Sequence, residues 1–174
     1  MDTDTFVENQ VYRMKRECNS QILIMRQGFI FINTIEMGLV TYNTSRMESG
    51  STIQVDKDSD DLQVVTGLPA DNTVIALYTD RRENSLYIVS ESKDRKMIHV
   101  SVRDLEKKQY VEISSFSVPT KSPILKTLYQ QGGQIYTLDE VGRASVINIG
   151  SETINELAEN CTEILVTSNG FFAR

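Results

Sequence analysis

The reactive side chains of this chain are sparse, and few are spaced as chemistry would need them. The single histidine, His99, lies between Ile98 and Val100 in an alternating stretch, the setting of a structural or surface residue on a strand. A histidine-dependent relay has this residue alone to draw on. Two cysteines, Cys18 and Cys161, are far apart and form no CxxC pair. With one histidine they make a poor zinc site, so two reduced, part-buried thiols are expected. A disulfide between them would need their backbones to come close. Asp139-Glu140 is an acidic pair at the end of an apolar run. Glycoside hydrolysis needs two carboxylates converging across a cleft, and neighbours in sequence are more simply a solvated turn. Lys57-Asp58-Ser59-Asp60-Asp61 lacks the glycine and distal glutamate of a helix-loop-helix calcium site. Gly132-Gly133 opens no helix and so cradles no phosphate. No G-x-S-x-G elbow is present. The expectation is a chain with no catalytic, cofactor-binding or metal-binding residue, and hence no enzyme.

Binding is the chemistry left. Arg81-Arg82 falls between two apolar runs, where a strand connection would hold it out to an acidic partner surface. A second basic cluster, Arg13-Met14-Lys15-Arg16, is expected to be an exposed segment. Phe171-Phe172 follows a turn pair, Asn169-Gly170, and offers two aromatic rings where a strand begins. Candidate interface residues are therefore Arg81, Arg82, Phe171 and Phe172.

The elements that must position these residues are strands. The 174 residues are 40% hydrophobic, enough for a packed core. A net charge of −6 disfavours a nucleic-acid backbone as partner. The polar start Met1-Asp2-Thr3-Asp4-Thr5 is unlike a secretory signal. No apolar run approaches the roughly 20 residues of a membrane helix. A soluble cytosolic or nuclear protein without membrane contact is expected, which leaves the sequons at Asn43 and Asn160 as chance matches.

Residues 1–20 are polar, an N-terminal extension or strand. From there short apolar runs alternate with turns. One cycle runs Ile22–Met25, Phe29–Thr34 and Leu39–Asn43, with a fourth strand at Thr52–Val55 or Leu62–Val65. The next runs Val74–Tyr78, Leu86–Ser90, Met97–Val102 and Tyr110–Ile113. A third runs Ile124–Tyr129, Ile135–Asp139, Ser145–Ile149 and Thr153–Leu157, the last also readable as a helical turn. A fourth opens at Glu163–Thr167 and Phe171-Phe172. Aromatic residues mark each second strand at Phe31, Tyr87, Tyr136 and Phe172. Their irregular spacing centres near the about 40–50 residues of a propeller blade.

Met97-Ile98-His99-Val100-Ser101-Val102-Arg103-Asp104-Leu105 resembles the third strand of a WD-repeat blade, with Arg103-Asp104 in place of the Trp-Asp pair. Gly132-Gly133-Gln134-Ile135-Tyr136 and Val40-Thr41-Tyr42-Asn43 are more weakly similar to kelch repeats. The Gly-His pair of WD repeats and the closing glycines of kelch strands are absent. The resemblance implies an all-β fold, a degenerate, partial β-propeller of four-stranded antiparallel blades. About three blades and the start of a fourth are expected, over residues 21–66, 73–118, 123–158 and 162–174. An irregular β-sandwich or barrel is the competing fold. The resemblance implies a non-enzymatic scaffold for protein–protein interaction within a larger complex. The alternative is a propeller enzyme or small-ligand sensor with its site at the central channel. Three and a half blades leave open strand edges, which the rest of a propeller, a second copy or a partner chain would complete.

Overall fold

The computed structural model describes residues 18–26, 29–34, 38–43, 62–80, 84–105, 110–130, 132–167 and 170–174, with backbone alone for residues 18–29. The strands form antiparallel sheets in two compact units, 1–66 and 67–174.

In the first unit, β1 (Cys18–Arg26), β2 (Phe29–Thr34), β3 (Gly38–Asn43) and β4 (Leu62–Val64) pair in chain order. Short turns between successive strands leave little choice but this up-and-down order. Ile30, Phe31 and Ile32 of β2 are all buried, so both faces of the second strand are covered. Of the two candidates for the fourth strand, Leu62–Val64 pairs with β3, from Val40↔Val64 to Tyr42↔Leu62. Residues 52–55 lie outside the described residues, as does the basic cluster at 13–16.

The second unit is a stack of three sheets. β5 (Thr73–Asp80), β6 (Ser85–Glu91), β7 (Met97–Asp104) and β8 (Glu112–Pro119) form one. β9 (Ile124–Gln130), β10 (Gln134–Asp139), β11 (Ala144–Asn148) and β12 (Thr153–Ala158) form the next. β13 (Ile164–Thr167) and β14 (Gly170–Ala173) form a two-stranded third. Among the described residues each sheet is open, with two edges, and none closes on itself.

The alternation of side chains assigns one face of each sheet to one neighbour. Ala76, Val89, Ile98, Val100, Phe116 and Val118 of the β5–β8 sheet pack on Ile135 and Ile147 of the β9–β12 sheet. At the near edges of these two sheets, Tyr78 stacks on Tyr129 with ring centroids 5.5 Å apart, and its hydroxyl meets Thr127 Oγ1 at 2.6 Å. Tyr129 donates to the buried Asp80 at 2.6 Å. At the far edges β8 touches β12, so this interface is four strands wide. The opposite face of the β9–β12 sheet carries Tyr136, Leu138, Ala144 and Val146, which pack with Cys161 and Ile164.

Three strands differ from their expected form. β8 begins at Glu112 instead of Tyr110, because Tyr110 has φ +47° and turns the chain before the ladder starts. Its end at Pro119 is tolerated because β8 is an edge strand. Thr153–Ala158 is a strand, held by β11 through pairs such as Ile147↔Ile154, and not a helical turn. Gly170 pairs with Thr167 inside the last hairpin's ladder instead of forming part of its turn.

Candidate interaction surface

The hairpin β13–β14 is short, but three anchors hold it. Ile164 is fully buried, and Phe171 stacks on Tyr136 at 4.9 Å with ring planes 10° apart. An aromatic pair of this kind adds about 0.5–1.5 kcal/mol beyond the area it buries. Lys126 Nζ donates to the Ile164 carbonyl and Gln130 Nε2 to the Thr167 carbonyl, each at 3.3 Å, so β9 holds β13. At the open end Glu163 and Arg174 exchange backbone hydrogen bonds of 3.0 Å in both directions.

Period-two alternation then places Leu165 and Phe172 on the other side, away from the β9–β12 sheet. They are cross-strand partners, 56% and 60% exposed, and so form one uncovered apolar patch. The doubly bonded Glu163–Arg174 pair also sets the ladder phase. Phe172 bonds to Leu165, and the N–H and C=O of Phe171 and Ala173 turn to the free edge. Among the described residues β14 pairs with β13 alone.

Of the expected interface residues, Phe171 and Phe172 thus lie on one strand but face opposite ways. Phe171 is an anchor and Phe172 is presented to solvent. Arg81 and Arg82 lie outside the described residues. Leu165 was missed, although the run Ile164-Leu165-Val166-Thr167 before a turn pair would have put it across from Phe172.

The remaining chemistry-bearing residues have structural partners. His99 Nδ1 lies 3.0 Å from Ser117 Oγ. A catalytic pair would need a carboxylate on the other ring nitrogen, and Nε2 is buried with no partner. Burial pushes the His99 pKa below its ordinary value, assisted by Arg103 and opposed by Glu112. Asp139 is buried, and its Oδ1 accepts from the Val141 and Arg143 amides at 3.1 and 2.8 Å while Oδ2 pairs with Arg143 Nε. Its neighbour Glu140 instead pairs with Arg95 Nη1 at 2.8 Å, so the two acids do not converge. A cleft of about 220 Å3 between residues 119–122 and the β9–β12 sheet is lined by Asp139, Arg143, Lys121 and Glu156. Its charges are matched in pairs, Arg143 with Asp139 and Lys121 with Glu156. Cys161 is a free, buried thiol. Among the described residues no group of three or more His, Cys, Asp or Glu could hold a metal ion, and no helix is long and apolar enough to cross a membrane.

Compared with protein-family models and with curated proteins, the chain matches none.

Proposed function

We infer that this chain is a non-enzymatic protein–protein interaction module, a degenerate WD-like propeller segment working within a larger complex. The observation that carries the reading is the terminal hairpin, which is anchored on one face by Phe171 and Ile164 and uncovered on the other at Leu165 and Phe172. A rigid sheet that presents apolar side chains binds with little ordering cost. Aromatic residues at the centre of such a patch supply most of the binding energy in protein interfaces. The stacking of successive up-and-down sheets supports the propeller-like description.

A photo-crosslinking phenylalanine analogue placed at Phe172 tests this in cells. Val141, also 60% exposed but on a turn, is the matched control. A covalent adduct with another protein at position 172, and little at 141, is expected. Equal yields at the two positions, or none at either, would overturn the reading.

A further inference from the structure

The last two sheets of the stack do not match in width. Between the β5–β8 and β9–β12 sheets, contact runs from the near edges to β8 against β12. On the opposite face of the β9–β12 sheet, β13 is bound by β9 and β14 stacks on β10 through Phe171 and Tyr136. Strand over strand, the next two positions lie above β11 and β12. There Asn155 and Leu157 of β12 are exposed. The β14 edge that borders these positions turns the N–H and C=O of Phe171 and Ala173 outward. Residues 170–173 carry none of the usual edge guards, neither charge nor proline.

Resting on the interaction-module reading, we propose that another polypeptide fills these positions with a β-hairpin, its first strand antiparallel to β14 and its second above β12. A second copy does not fit. Antiparallel pairing of β14 with itself needs a two-fold axis perpendicular to the sheet, which would put both copies' β11 and β12 in one layer. The chemistry of the guest follows from what it meets. Alternate side chains facing the β9–β12 sheet are apolar, because they continue the row of Val166 and Phe171. Its strand ends are basic, because the exposed Glu152 and Glu159 flank β12 at either end. Its backbone supplies the donors and acceptors that the β14 edge lacks, the mode of strand addition.

The test is fluorescence anisotropy with the whole chain and a synthetic hairpin of alternating Val and Thr, strands of about six residues, an Asn-Gly turn and lysines at both ends. Saturable micromolar binding is expected, weakening as salt rises. Ala173→Pro removes an outward N–H without breaking a bond to β13, and should weaken binding about tenfold. N-methylation of alternate residues in the probe's first strand should do the same on the unaltered chain, which keeps the test sound should the proline variant misfold. Replacing the probe's lysines by glutamates should abolish binding at low salt. No binding, or binding indifferent to the methyl groups and the charge swap, would overturn the proposal. An adduct with another protein at Phe172, together with no hairpin binding, leaves the interaction module standing and removes edge pairing. An adduct within a single chain shows that the chain fills its own edge and also removes it. No adduct at all removes both.

Discussion

Replacing Tyr129 by phenylalanine takes one oxygen from the seam between the two four-stranded sheets of the second unit. The ring stays, and with it the contacts to Tyr78 and Tyr87 at centroid distances of 5.5 and 5.2 Å. What goes is the hydrogen bond from the Tyr129 hydroxyl to Asp80 Oδ2, 2.6 Å long, onto a carboxylate only 1% exposed. A hydrogen bond to a charged group contributes about 1.5–3 kcal/mol, so Tyr129→Phe should lower unfolding free energy by about 2 kcal/mol at neutral pH. The same contact gives a pH signature. Burial, then the Asp80 and Tyr87 hydrogen bonds, push the Tyr129 pKa well above its ordinary value of 10.0. The folded state therefore keeps the phenol proton after the unfolded chain has lost it. This contribution is complete below pH 10 and declines as pH rises from there toward the folded pKa. The limiting slope is about 1.4 kcal/mol per pH unit, and solvent screening of the part-exposed ring reduces it. Burial also raises Tyr78, against its hydrogen bond to Thr127, so part of the alkaline slope remains in the variant. Urea unfolding of both proteins between pH 7 and 11 measures these quantities. The variant should be weaker at neutral pH and the two curves should converge as pH rises. A constant gap across the range would refute the claim that the phenol proton is held by the seam.

Two other sites give independent tests. Gly142 has φ +80°, and a Cβ there would stand 2.8 Å from the Cys161 carbonyl oxygen, backbone that cannot swing aside. Gly142→Ala should cost about 2 kcal/mol or more by urea unfolding, through the strained φ and this contact, and speed hydrogen exchange at Cys161, whose amide bonds to the Gly142 carbonyl at 2.8 Å. Burial raises the Glu112 pKa, but the Ser101 and Ser115 hydroxyls and Arg103 outweigh it and hold the carboxyl below its ordinary value of 4.5. Its stabilisation is present above pH 4.5 and is lost as pH falls through the lower folded pKa. Glu112→Gln should flatten that acid limb and, because Arg103 is 4% exposed, destabilise by about 1–3 kcal/mol at pH 7 in thermal or urea unfolding.

Strand identity was legible because it rests on local period. The alternation through Met97–Val102, and the apolar runs at Phe29–Thr34 and Ile135–Asp139, define strands whatever surrounds them. Short turns between them then leave the up-and-down order as the simple solution, and all three four-stranded sheets have it. Strand ends were less legible. The left-handed Tyr110 and the bulge between Val102 and Arg103 shift the start of β8, and neither has a compositional signature.

The amino-acid sequence alone determined an all-β chain of short antiparallel strands, because hydrophobic period and turn residues act within a few positions of one another. Tertiary structure decided what each polar residue does. Asp80, Arg103 and Asp139 look like ordinary turn or strand charges in sequence, yet all three are buried, and Asp80 meets Tyr129 across a sheet interface 49 residues away. Neighbouring phenylalanines 171 and 172 are alike in composition and opposite in role, because packing of the hairpin on Tyr136 chose which ring faces inward. Side-chain alternation says that they must differ. The sheet beneath says which one is left for a partner.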